Sequence, residues 1–201
     1  MLTYANQLTI LRMIFVPCFV LLIIEGHPRI ATFLFLLAGV TDGLDGWMAR
    51  AFKQKTDLGQ FLDPMADKLL LTAAFITLTV PSVPVPLHIP AYLTVLTISR
   101  DVVIALSALI IHLQTGHTKF PPTILGKCTT AAQLSLVADC MLANFSLFPW
   151  DLLFQPILFA TLILTLASGF HYAYRAVKVI ESYQNAGIEH GSNKGAQNKQ
   201  S

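Results

Sequence analysis

Four carboxylates in an otherwise apolar chain are the residues most able to do chemistry: Asp42, Asp45, Asp63 and Asp67. Asp42 and Asp45 are spaced i,i+3 and Asp63 and Asp67 i,i+4, so on helices each pair shares one face. Four such groups brought to one level repel each other and need positive charge to hold them. Arg50 and Lys68 supply two cations, but a set of hard oxygen donors without His or Cys is what Mg²⁺, Mn²⁺ or Ca²⁺ prefers. Two divalent ions would balance the four charges, and a two-metal site is a recurrent solution for displacement at phosphorus. A single Asp at a helix end is ordinarily a cap or a partner for Arg or Lys. Four at these spacings, separated by a glycine-containing basic turn, point to a metal centre instead. Gly43, Gly46 and Gly59 leave room for a bulky ligand or a neighbouring helix, and Gly39 with Gly43 makes a Gly-x-x-x-Gly packing pair.

The elements that must position these residues are set by the solvent. The 201 residues are 54% hydrophobic and only 12% charged, about half the charge of a soluble domain, with a mean hydropathy of +0.62. Such a chain lacks the polar coat of a soluble protein and reads as an integral membrane protein. Thirteen Lys and Arg against eleven Asp and Glu leave +2, without the concentrated basic face of a nucleic-acid binder. Cys18, Cys128 and Cys140 lie in apolar runs at no metal-ligand spacing and are expected to be buried small hydrophobes. The six histidines form no His-Glu-x-x-His pattern and are expected at interfaces or in solvent.

Six stretches approach the roughly 20 residues a bilayer requires: Leu8–Ile24, Ile30–Met48, Gly59–Val80, His88–Leu113, Thr123–Phe148 and Leu152–Tyr174. The expected fold is therefore all-α, a polytopic six-transmembrane-helix bundle with a cytoplasm-facing active-site cavity. Orientation follows the positive charges. Arg50, Lys53, Lys55, Lys119, Arg175, Lys178, Lys194 and Lys199 fall on one side, and only Arg29 falls in the loops of the other. Both termini and the four Asp residues are thus expected at the cytoplasmic face. Trp150, Tyr172 and Tyr174 suit interfacial belts, with helix packing as the other reading. The N-terminus lacks a basic leader and a cleavage site, so the first span is expected to be retained. Residues 1–188 read as one membrane domain and 189–201 as a polar, disordered tail rich in Gly, Asn, Gln and Ser.

Read in order, Asp42-Gly-Leu-Asp45-Gly46-Trp-Met-Ala49-Arg50, eight residues, Gly59, three residues, Asp63, three residues and Asp67 resemble the signature of the CDP-alcohol phosphatidyltransferase family. All eight fixed positions agree, an agreement expected by chance only about 10⁻¹⁰ of the time per starting point. Asn6-Gln7-Leu8-Thr9 with Arg12 and Pro17 is similar to the opening of phosphatidylglycerophosphate synthases and related cardiolipin synthases. The same holds for Asp63-Pro64 with Ala66-Asp67-Lys68. Gly126-Lys127 with Thr129, Thr130 and Gln133 is similar to a further stretch of those enzymes, and Ser168-Gly169 with Tyr172 and Tyr174 to their final helix.

The resemblance implies transfer of a phosphatidyl group from CDP-diacylglycerol to an alcohol, with release of CMP, by a membrane enzyme that forms homodimers. It implies that Asp42, Asp45, Asp63 and Asp67 hold two divalent cations, Mg²⁺ or Mn²⁺, and that Asp67 also acts as general base. Gly46, Ala49, Arg50 and Gly59 then cradle the CDP group. The remaining membrane-level cations, Arg100 and Lys127, suit an anionic, glycerol-containing acceptor such as glycerol 3-phosphate. At this level Arg100 could equally pair with Asp101 or with the Asp cluster, and Lys127 and Arg12 could snorkel to the interface. The Arg100-Asp101 pair looks more like the cardiolipin synthases of the same fold, whose acceptor is phosphatidylglycerol. A divalent-cation transporter using the Asp cluster as a filter is the competing class. It would need polar groups continuing across the bilayer, whereas the four Asp residues lie at one end. The role of Asp139 is open at this level.

Overall fold

A computed structural model describes the backbone of residues 4–52, 57–115, 123–145 and 150–197. Among these, all regular structure is helical: α1 (Tyr4–Ile24), α2 (Pro28–Phe52), α3 (Asp57–Thr79), α4 (Ala91–Thr115), α5 (Ile124–Leu142), a 3₁₀ turn (Ala143–Phe145) and α6 (Asp151–Gln197). Each expected span has its helix, with shifted ends. α4 starts at Ala91 because the stretch before it, closed by Pro90, is extended and tucked back, the Ile89 N–H donating to the Leu78 carbonyl at 3.1 Å. α5 stops at Leu142, where the Asn144 amide caps the Met141 carbonyl at 2.8 Å. α6 carries helical backbone through Gln197, and so into the segment whose composition reads as a tail. Among the described residues one stretch, Leu152–Arg175, is long and apolar enough to cross a membrane by itself, and Met13–Ile24, Pro28–Thr41 and Lys68–Thr79 are shorter apolar helical stretches.

The turn from α1 to α2 shows how local chemistry sets one helix against the next. Gly26 has φ of +82°, and the N–H groups of Gly26 and His27 donate to the carbonyls of Ile23 and Leu22 at 3.1 and 2.8 Å. This is a Schellman closure, which requires a left-handed residue at the position Gly26 occupies. Pro28 then opens α2, where its missing N–H costs nothing.

The helices belong to two compact units, one of Met1–Val95 with Thr130–Leu162 and the other of Leu96–Thr129 with Ile163–Ser201. In the first, α1 packs against both α2 and α3 around Phe19, Ile23, Phe35, Phe75, Leu78 and Leu136. Phe19 and Phe35 meet with ring centroids 5.9 Å apart. The Thr32 hydroxyl bridges α2 to α5, donating within reach of the Pro28 carbonyl at 2.8 Å and the Met141 carbonyl at 3.1 Å. Thr161 similarly reaches the Ala132 carbonyl at 3.2 Å. In the second unit Thr129 reaches the Leu164 carbonyl at 3.1 Å.

Buried and exposed residues are distributed as in a chain with an apolar solvent. Thr32, Gln133, Thr161 and Ser168 are fully buried, whereas Phe33, Ile163 and Phe170 are 65%, 64% and 75% exposed. One expectation is corrected here. Cys18 and Cys128 are exposed, and only Cys140 is buried, because on such a helix the outward face is as apolar as the inward one. Of the two readings of Tyr172, helix packing is the one its burial fits, whereas Tyr174 is exposed.

Candidate functional site

The side chains of Asp42, Asp45, Gly46, Ala49, Arg50, Gly59, Asp63 and Asp67, and that of Arg12, lie outside the described residues. Their backbone is helical: Asp42 to Arg50 occupy the C-terminal part of α2, and Gly59, Asp63 and Asp67 the N-terminal part of α3. The i,i+3 and i,i+4 spacings therefore act on real helices, and each pair shares a face.

In the second unit a separate group of described side chains is built around Arg100. A helix-borne arginine that is only 6% exposed must have its charge met by polar groups. It donates from Nη1 to Asp101 Oδ1 at 2.7 Å and from both Nε and Nη2 to Ser168 Oγ, at 3.2 and 2.8 Å. Its Cζ lies 5.7 Å from the centroid of the Tyr172 ring, within cation–π range. Of the partners open to Arg100, Asp101 is the described one, and Ser168 shares it. Lys127 is exposed one turn into α5.

The start of α5 closes the group. Thr123 is its N-cap: its hydroxyl accepts from the Gly126 N–H at 3.1 Å and its carbonyl from the Lys127 N–H, also at 3.1 Å, as threonine does at a helix start. The Tyr172 hydroxyl in turn accepts the Thr123 N–H at 3.2 Å. Gly126 is needed for the close approach, because a Cβ there would stand 2.8 Å from Tyr172 Oη, 3.2 Å from Thr123 Oγ1 and 3.4 Å from Arg100 Nη2. Gly126→Ala is therefore expected to lower the thermal unfolding midpoint of the detergent-purified protein. Overpacking costs about 1–3 kcal/mol, more than the roughly 1 kcal/mol alanine gains over glycine in a helix. An unchanged or raised midpoint would show that Tyr172 yields freely.

The arrangement gathers three sources of positive potential in one unit: a guanidinium, a lysine and a helix N-terminus. Asp101 offsets part of it. Such a set suits an anion. The cost of charge in a membrane singled out Arg100 and Lys127, whereas Gly126 and Ser168 entered only through the resemblance and Tyr172 as a residue of an interface or of helix packing. A usable signal existed, since Thr161, Thr165, Ser168 and Tyr172 recur at intervals of four, three and four residues and so line one face of α6. Asp139, without a role from sequence, is buried within the first unit. Among the described residues no cluster of three or more His, Cys, Asp or Glu side chains forms a metal site.

A helical chain that turns apolar side chains outward and keeps a cation inside is built as a protein of membranes. The family model described as CDP-alcohol phosphatidyltransferase matches residues 2–169, and the chain belongs to that family. It is 33% identical over 198 residues to human cardiolipin synthase (CMP-forming), covering 89% of this chain and 64% of that protein. It is 45% identical over 101 residues to the CDP-diacylglycerol–glycerol-3-phosphate 3-phosphatidyltransferase of Haemophilus influenzae, covering 49% and 53%. To the Bacillus subtilis protein of that same name it is 30% identical over 191 residues, covering 86% and 94%. The chain thus spans less than two thirds of the human and Haemophilus relatives, and nearly all of the Bacillus one.

Proposed function

We propose that this chain is an integral membrane phosphatidyltransferase of phospholipid biosynthesis. In this reading it transfers the phosphatidyl group of CDP-diacylglycerol to glycerol 3-phosphate, giving phosphatidylglycerophosphate and CMP. Support for the donor comes from the family match over residues 2–169 and from relatives named for that reaction. The observation that carries the acceptor is Arg100. It is buried, held on two sides by Ser168 and Asp101, and set beside the capped start of α5, which suits a phosphate that must be gripped while a hydroxyl elsewhere on the molecule reacts.

The proposed chemistry uses the residues as follows. The acceptor's primary hydroxyl oxygen attacks the phosphatidyl phosphorus, its proton passes to the Asp67 carboxylate, and the bond from phosphorus to the bridging oxygen breaks so that CMP leaves. Asp42, Asp45, Asp63 and Asp67 fit a pair of divalent cations by donor chemistry, being all carboxylate and carried on two helices. Mg²⁺ or Mn²⁺ held by these carboxylates would supply positive charge for the displacement at phosphorus. Gly46, Ala49, Arg50 and Gly59 cradle the CDP group. Lys127, near Arg100 in sequence of elements, adds a second cation for the acceptor phosphate.

The same reading takes residues 1–188 as a six-span domain with a cavity open to the cytoplasm, both termini on that side, 189–201 as a tail, and a homodimer in a bacterial inner membrane. A site at that level takes a nucleotide head from water while the donor's acyl chains stay in the leaflet. No nucleic acid enters the reading. A cardiolipin synthase activity, with phosphatidylglycerol as acceptor, is the second reading, favoured by the human relative that matches 89% of the chain.

The test is CMP release by the purified protein with Mg²⁺ and CDP-diacylglycerol, offered glycerol 3-phosphate or phosphatidylglycerol. Release with glycerol 3-phosphate alone is expected. Release with phosphatidylglycerol alone would replace the first reading by the second, and metal flux into sealed vesicles without CMP release would point to a transporter.

A further inference from the structure

An arginine on a flexible stem grips phosphate well only if something orients it beforehand. For Arg100 that something is a carboxylate on one side, Asp101, and a neutral hydroxyl on the other. Ser168 is fully buried, and its Oγ accepts from Nε at 3.2 Å and from Nη2 at 2.8 Å at once. Those two N–H groups share one edge of the guanidinium plane, so an oxygen that meets both sets the rotation of the plane as well as its position. Nη1 is engaged by Asp101 at 2.7 Å. Of the five N–H groups of an arginine, three are used in this way. One remains on each terminal nitrogen, the number a two-point contact with a phosphate requires.

The hydroxyl differs from a carboxylate in what it leaves behind. An acidic residue at 168 would hold the guanidinium as firmly but would cancel the charge that attracts the ligand. Serine holds without cancelling. Tyr172, one turn further along α6, lies against the guanidinium, and the absent side chain of Gly126 lets α5 come close to Nη2 and to Tyr172.

We propose that Ser168 is a positioning residue for acceptor binding, acting through Arg100 by fixing its guanidinium so that one N–H on each terminal nitrogen faces the acceptor phosphate. The proposal rests on the reading of Arg100 as the acceptor-phosphate cation. It assigns Ser168 no contact with the substrate and no part in the transfer itself.

The experiment compares the wild-type full chain with Ser168→Ala, Ser168→Cys, Arg100→Ala and the Arg100→Ala/Ser168→Ala double variant, measuring kcat, KM for glycerol 3-phosphate, KM for CDP-diacylglycerol and the thermal midpoint. Ser168→Ala is expected to raise the acceptor KM about tenfold, the value of one charge-assisted hydrogen bond, with the donor KM within about twofold of wild type. Ser168→Cys keeps the volume and weakens the acceptor atom, so its acceptor KM is expected between those of wild type and alanine. It supplies the same readout should alanine prevent folding. The double variant is expected to be no worse than Arg100→Ala, because a residue that works through Arg100 has nothing left to position.

Three results would overturn the proposal. In the first, the Ser168 variants keep the wild-type acceptor KM while Arg100→Ala raises it, which leaves the Arg100 reading standing. In the second, the two effects multiply in the double variant, which makes Ser168 an independent contributor. In the third, both substrates' KM values and the midpoint worsen together, which makes its role structural. An Arg100→Ala enzyme with unaltered acceptor KM removes the underlying reading itself.

Discussion

Replacing Asp67 with asparagine is expected to lower kcat by about 10² to 10⁴, the usual contribution of a positioned general base, while the KM for CDP-diacylglycerol stays within a few-fold. Asparagine matches the carboxylate in size and still offers one oxygen, but it cannot accept the proton of the attacking hydroxyl. In the proposed reading Asp42, Asp45 and Asp63 remain to hold the cations, and Gly46, Ala49, Arg50 and Gly59 remain to hold the CDP group, so donor binding has no reason to collapse. A loss of that size is about 3–5 kcal/mol of transition-state stabilisation. The check is steady-state kinetics together with donor binding measured on the inactive variant. If binding falls in parallel with turnover, Asp67 is a metal holder and the base must be sought elsewhere.

Arg100→Ala is expected to raise the KM for glycerol 3-phosphate by roughly 10- to 100-fold, the range for a lost hydrogen-bonded charge, and to change the donor KM far less. Truncation removes the cation and also leaves Ser168 and Asp101 without the group they share. Asp101 then adds its own repulsion toward an anion, which sets the effect above that of removing a surface lysine. The measurement is the split between the two KM values. Equal rises in both, or none in the acceptor's, would place the acceptor phosphate away from α4 and α6. Lys127 is exposed, so its removal is expected to weaken acceptor binding less and in a way that added salt diminishes.

Much of the protein is legible in one dimension. Helix positions follow from the length of apolar runs between Pro, Gly and charged breaks, because a backbone without water must satisfy its hydrogen bonds internally and a helix does this within one segment. All six expected spans correspond to helices, with ends moved by local features such as the extended stretch before Ala91 and the Asn144 cap. The Asp pairs are readable for a related reason: their spacing is a property of a single helix and needs no partner to be interpreted.

What neighbours what is a different matter. In water, hydrophobic periodicity tells the inner face of a helix from the outer one; where both faces are apolar that signal disappears. Cys18 and Cys128 therefore point outward from runs that looked like core, and Tyr172 points inward from a position that suited an interface. Arg100 announced itself by the cost of its charge, but its partner Ser168 lies 68 residues away on another helix, a distance over which composition and spacing say nothing. Types, spacings and helix lengths are local quantities carried by the chain itself. The shared hydroxyl of Ser168, the tyrosine against the guanidinium and the close approach at Gly126 arise only when α4, α5 and α6 come together, because each depends on atoms that the chain order keeps far apart.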